Sequence, residues 1–264
     1  MKNFLKPKKH NPHNPFIKGN EVSYMMVGYF PKDELRKILP QAMSIPSDEV
    51  MTERYPTVKK IEGMHPYMMQ LAACHNVQPL SANYQLPAYQ ELQFFFPVTY
   101  THKKEEQHCT YSPVLYLDYF FGVIGGLTLG LRKEYHRKMI VEETDTSKSY
   151  LIKGVIDASF RQTSTDSSEE LDPFFAGVFN NPLATVSYFN RTYFYKQEVY
   201  PSKVLDASTT YEWRYKGSVI KNNENTFANY SEYSFTVSQA MRYENYFHPS
   251  PSEIETTDSN PPLK

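Results

Sequence analysis

The sequence predicts an α+β chain, mainly antiparallel β, built as a closed or partly closed β-barrel with a few short helices. Three observations carry that prediction. The chain holds 22 Tyr and 17 Phe in 264 residues, and these side chains suit pleated, half-buried surfaces. Apolar and aromatic runs recur between turn signals from Val22 to Val237. Helical patterning is confined to short pieces, so the strands read as an antiparallel sheet and not as βα alternation.

The elements follow in order. Val22 to Phe30 is an apolar, aromatic strand. Pro31 opens a short helix over KDELRKIL, with Pro31 at its first position, Asp33 and Glu34 in its first turn, Leu35, Ile38 and Leu39 on its apolar face, and Pro40 as its stop. Gln41 to Met64 is polar and proline-spotted, and reads as loop with short extended pieces. Tyr67 to His75 fits a strand or a helix. Glu91 to Tyr100 is a strand with a bulge or edge at Pro97. His102 to His108 is a charged turn, and Tyr111 to Asp118 the next strand. Lys138 to Glu143, Ser149 to Phe160 and Val178 to Tyr200 are further strands, with a polar connector over 163–172. Tyr211 to Ile220 and Tyr230 to Val237 complete the sheet, and Ser238 to Tyr246 fits a terminal helix or strand.

Residues 1–15 read as a flexible basic arm, 16–247 as one domain, and 248–264, with four prolines and little that could pack, as a disordered tail. A formal net charge of -1 argues against a nucleic-acid binder that works by phosphate neutralisation. Cys74 and Cys109 are too few for a disulfide framework and read as free thiols. No run is long and apolar enough for a signal peptide or a spanning helix, so no membrane contact and a cytoplasmic location are expected. The eight histidines lack metal-site spacing, and no phosphate-cradling glycine motif is present. The expectation is therefore no cofactor and no metal.

The most unusual stretch is Tyr116 to Ile140. Four of the ten glycines, Gly122, Gly125, Gly126 and Gly130, fall within nine positions, followed at once by Arg132-Lys133-Glu134-Tyr135-His136-Arg137-Lys138. Glycine there points to a bent backbone or a close approach. The reading is a glycine-shaped strand that walls a small-molecule pocket, with a lysine at its edge.

Three blocks are similar to the acetoacetate decarboxylase family, as in a divergent member. Asp33-Glu-Leu-Arg-Lys-Ile-Leu-Pro40 resembles its DALRxxxP helix. Tyr89-Gln-Glu91 with Pro97-Val98 resembles its YxE and nearby PV. Tyr116-Leu-Asp118, then Gly125, Gly130 and Lys133, resembles YLD followed by G-x4-G-x2-K.

The resemblance implies a lysine that forms a Schiff base with a small keto-acid or carbonyl metabolite, in a decarboxylase or a related lyase, and a chain that assembles as a homo-oligomer. It puts Lys133 in the lysine's place and Glu91 in that of a pocket carboxylate. It puts Arg132, Tyr89, Gly125, Gly126, Gly130 and His136 around the substrate. Such a lysine needs a lowered pKa, from a dry site or a neighbouring cation. His136 also suits proton transfer, since its unperturbed pKa lies near neutrality.

Departures remain. Glu134 stands where the family has a second lysine, Arg132 where it has proline, Gly126 and Leu127 where it has arginine and glutamate, and no arginine lies near Glu21 and Val22. Other registers set Glu134 or Arg132 opposite the family lysine, and Lys138 is a further candidate to enter the pocket. A second reading keeps the barrel as a binding module without catalysis, its apolar pocket lined by Phe94, Phe95, Phe96, Phe120 and Phe121.

Overall fold

The computed structural model describes residues 17–79, 84–102, 105–128, 131–168, 170–186, 192–215, 218–222 and 235–247. The arm over 1–15, the tail over 248–264 and Gly130 lie outside them. All described strands join one mostly antiparallel sheet. No helix among the described residues is long and apolar enough to cross a membrane.

Strand β1 (Ile17–Pro31) runs between β3 (Met64–Pro79) and β14 (Phe235–Phe247). β3 pairs with β4 (Tyr89–His102), which also pairs with β5 (Glu105–Ser112), β6 (Leu115–Leu117) and the short β2 (Met43–Ser44). On the other side of β14 lie β12 (Thr192–Tyr215), β10 (Ile156–Ser168), β9 (Ser147–Ile152) and β8 (Met139–Glu143). β11 (Leu183–Val186) pairs parallel with β5 and antiparallel with β12. β13 (Ser218–Asn222) extends β12 as a hairpin, and β7 (Lys133–Tyr135) lies parallel to β6.

Among the described residues, four helices sit on this sheet. α1 (Lys32–Ile38) buries Leu35 and Ile38 and starts one residue after Pro31, which is its N-cap and not its first residue. α2 (Asp48–Arg54) lies in the stretch expected to be loop; Ser47 caps it by accepting from the Val50 N–H, and Asp48 ties down Lys32 and Lys60. A seven-residue helix carrying one buried side chain, Met51, leaves almost no periodic signal.

α3 (Phe120–Thr128) is a helix where the sequence predicts a glycine-shaped strand. Glycines lower helix propensity by about 1 kcal/mol each, and their density hid the helix. α4 (Pro173–Asn180) occupies the start of what reads as a strand from Val178. Asp172 accepts from the Phe174 N–H, Pro173 takes the first turn, and Phe174, Phe175, Val178 and Phe179 are buried. β5 already begins within the expected charged turn, and β10 runs on into the expected polar connector. The ambiguous segments 67–75 and 238–246 are both strand.

Pro97 sits where β4 changes partners. Pairing with β3 ends at Phe95, and pairing with β5 starts at Phe96. The missing N–H thus costs no ladder bond on the β3 side, and the Pro97 carbonyl accepts from the buried His65 Nε2 at 2.7 Å. Around this point lies an aromatic core that includes Tyr29, Phe30, Tyr67, Phe94, Phe95, Phe96, Phe160 and Phe174.

Candidate functional site

The site is written in the registers of neighbouring strands. Glu21 faces Cys74 across β1 and β3, and Cys74 faces Tyr89 across β3 and β4. One pair further along, Ala72 faces Glu91, and Glu91 faces Leu117 of β6. Leu115 in turn faces Lys133. Side chains two apart share a face. One face therefore carries Glu21 and Ser23, Gln70 and Cys74, Tyr89 and Glu91, Leu117, and Lys133.

Lys133 is buried, at 8% exposure. Its strand is short but fixed at both ends: the Leu115 N–H donates to the Arg132 carbonyl, and the His136 N–H to the Leu117 carbonyl. The lysine stem runs over Gly126 of α3. A Cβ at 126 would overlap the Lys133 Cδ and stand 2.6 Å from its Cε. Gly126 thus makes room for the lysine, and the helix, not a strand, supplies the glycine.

Burial lowers the Lys133 pKa below the usual lysine range, while Glu91 and then Cys74 act to raise it. Burial raises the Glu91 carboxyl, offset by the positive charge of Lys133 and by a hydrogen bond from the Cys74 thiol. The Cys74 thiol itself is held well above its ordinary value, chiefly by burial and then by the charge of Glu91. Tyr89 hydrogen-bonds Cys74 and stacks on Tyr119 with ring centroids 5.9 Å apart. Ala72, Val77, Leu115, Leu117 and Val123 form the apolar packing around these groups.

Glu21, Ser23 and Gln70 were not singled out as site residues in the sequence, and Cys74 was read only as a free thiol. Glu21 Oε1 accepts from Ser23 Oγ at 2.7 Å and from Gln70 Nε2 at 2.6 Å. Burial, and then the charge of Glu91, push the Glu21 carboxyl up to about 8. The polar residues Gln70 and Cys74, on one side of an otherwise apolar strand, were the signal available in the sequence.

The other expected site residues distribute as follows. Glu134 turns to the opposite face from Lys133 and lies 3.8 Å from Arg132, both partly exposed. Lys138 is exposed, unlike Lys133. His136 is half-buried against the edge of the Tyr116 ring, 5.4 Å away. Gly125 lies on the exposed side of α3, with open space where a Cβ would be. The proposed phenylalanine lining does not assemble: Phe94, Phe95 and Phe96 are core residues, whereas Phe120 and Phe121 are exposed on α3.

Among the described residues, one group could present three metal-ligand atoms within 4.8 Å of one another: Glu21, Cys74 and Glu91. The set is a poor fit for a cation. Lys133 lies beside it, and all three of its members are held toward their protonated forms.

This sheet, with the four helices described, has the acetoacetate decarboxylase-like fold. The acetoacetate decarboxylase of Legionella pneumophila superposes with a TM-score of 0.57 at 12% identity, covering 92% of this chain and 90% of its own. A second acetoacetate decarboxylase structure gives 0.55 at 12% identity over 95% and 100%. The enduracididine biosynthesis enzyme MppR, complexed with pyruvate, gives 0.52 at 13% identity over 89% of each chain. No family model matches the sequence, and no curated protein sequence matches it. The likeness therefore lies in the fold.

Proposed function

We propose that this chain is an imine-forming enzyme that acts on a small carbonyl or keto-acid metabolite through Lys133. The observation that carries the reading is a buried lysine, accommodated by Gly126, on one sheet face with Glu91. Burial favours the neutral amine, the nucleophilic form. The amine nitrogen bonds to the carbonyl carbon, the carbonyl oxygen leaves as water, and an imine results. Once protonated, the iminium accepts the electron pair of a neighbouring bond. Loss of carbon dioxide, aldol cleavage and dehydration all begin in that way.

Glu91 sits where it can take up or return the proton that these steps move. The solved structures lend support by their contents: MppR has been captured with pyruvate and with a condensation product of pyruvate and imidazole 4-carboxaldehyde. The pairing of β11 with both β5 and β12 supports a barrel around the site.

The test is reductive trapping. The protein is incubated with small keto acids, ketones and aldehydes in the presence of borohydride, and the adduct is mapped by mass spectrometry. A reduced adduct on Lys133, absent in Lys133→Ala, is the expected result. No adduct there with any of these carbonyls overturns the reading.

One observation favours a binding module instead. The Arg132 guanidinium lies 3.8 Å from Glu134, and the charge of Glu91 acts to raise the Lys133 pKa, which favours ammonium. The same trapping experiment separates the two readings. Homo-oligomerisation is proposed as well. Phe120, Phe121, Ile124 and Leu127 of α3, with Tyr135, leave an exposed apolar surface of the kind that marks contacts between chains. Light scattering that finds a monomer would remove that proposal.

A further inference from the structure

We infer that Glu21 sets the specificity of the Lys133 site, and that the site takes a carbonyl compound without a carboxylate. This inference rests on the imine-forming reading above and deepens it.

The argument is one of charge. Lys133 and Glu91 share one face, and each favours the charged form of the other, so when both are charged they compensate each other. A keto acid adds a second anion at that point. It needs a second cation, because an unpaired charge in a dry site costs several kcal/mol. Among the described side chains on this face no second cation stands beside the pair. Arg132 is turned toward Glu134, and Lys138 is exposed.

On β1, two strands from Glu91, the face carries an acid instead. Glu21 is 3% exposed and lies within 4.8 Å of Cys74 and Glu91, measured between their ligand atoms. Ser23 and Gln70 both donate to one of its oxygens, which fixes the carboxyl in place. A carboxylate substrate would meet Glu91 and Glu21 together. An aldehyde, a ketone or an amide-bearing ketone adds no charge, and the Glu21 carboxylic acid can share a hydrogen bond with it.

The groups that face Glu21 are Glu91 from β4, Cys74 and Gln70 from β3, and Ser23 from its own strand; Lys133 from β7 shares the face with Glu91. Burial first, and then the charge of Glu91, keep Glu21 protonated near neutral pH. As pH rises through about 8, Glu21 ionises, and the site becomes still less tolerant of an anion.

The test uses two probes with the same keto group, acetoacetate and its amide, acetoacetamide. Each is trapped with borohydride, and labelling of Lys133 is followed by mass spectrometry across pH. Acetoacetamide is expected to label Lys133 about tenfold or more faster at neutral pH, a modest factor for one unpaired buried charge. The preference is expected to grow above the Glu21 transition in the parent chain, to lose that growth in Glu21→Gln, and to shift toward acetoacetate in Glu21→Arg. Equal or faster labelling by acetoacetate overturns the inference while leaving imine formation intact. A Glu21→Gln profile that parallels the parent also overturns it, and this reading holds even where Glu21→Arg does not fold. Labelling of Lys133 by neither probe overturns the imine reading and the inference together.

Discussion

The Lys133 side chain occupies the volume that a side chain at Gly126 would fill. The bare position 126 lets the Lys133 stem lie against helix α3, and the Leu131 N–H donates to the Gly126 carbonyl at 2.9 Å.

Gly126→Ala follows from this contact. In a helix, alanine gains up to about 1 kcal/mol over glycine. The overlap falls on the flexible stem of Lys133, which can move aside. The variant is expected to fold, with a melting temperature within a few degrees of the parent, but to displace the amine and slow reductive labelling of Lys133. A labelling rate equal to the parent's would mean that the glycine does not position the lysine.

Lys133 and Glu91 are expected to couple energetically. Lys133→Met leaves a buried carboxylate without its cation and should destabilise the chain at neutral pH. Adding Glu91→Gln should recover part of that loss, with an interaction energy of about 0.5–3 kcal/mol in a double-mutant cycle. Additive losses by denaturant unfolding would show that the two groups do not sense each other.

Glu21 gives a pH signature in stability. Its carboxyl rises from 4.5 to about 8 in the folded chain, so the folded state holds a proton that the unfolded state has lost. Stability from this group is full below the unfolded value and falls as pH rises from the unfolded value through the folded one. The effect is on the order of a few kcal/mol. Glu21→Gln is expected to flatten that fall in melting curves taken between about pH 5 and 9. Parallel curves for the two proteins would count against a buried, protonated Glu21.

His65 gives the opposite signature. Burial pushes it down to about 4 and outweighs the Nε2 hydrogen bond to the Pro97 carbonyl, which acts to raise it, so near neutral pH the folded form is the neutral ring. Stability from this group is present above the unfolded value of 6.5 and is lost as pH falls toward the folded value. His65→Gln can keep a donor to the carbonyl without titrating. It is expected to reduce the loss of stability on acidification, read by unfolding between those two pH values. An unchanged acid limb would refute this.

How much of this was legible in the sequence depended on the signal each element left. Long aromatic strands were readable, because Tyr29 to Phe30 and Phe94 to Phe96 alternate with turns and proline. The α1 acids and bases were readable too. α2 and α4 were not: each is short, and its stabilisation comes from a capping side chain, Ser47 or Asp172, more than from an apolar period. α3 was hidden by its own glycines, which read as a bent backbone or a close approach; at Gly126 the Lys133 stem lies close.

At the site, Lys133 and Glu91 stood out through their resemblance to a family pattern. The problem of Glu134 beside Lys133 could be resolved only by seeing which face each neighbour takes. Glu21 and Cys74 escaped, because they lie 53 residues apart in the chain and meet only through the β1–β3 register.

The most direct measurement of the central claim is the titration of the Lys133 amine itself. Lysine methyl groups introduced by reductive methylation can be followed by carbon NMR across pH, with Lys133→Arg assigning the signal. The account predicts a Lys133 midpoint below the 10.5 of an ordinary lysine, moving lower still in Glu91→Gln as the opposing carboxylate is removed. A midpoint at or above that ordinary value would contradict the account, because a lysine so charged is no nucleophile near neutral pH.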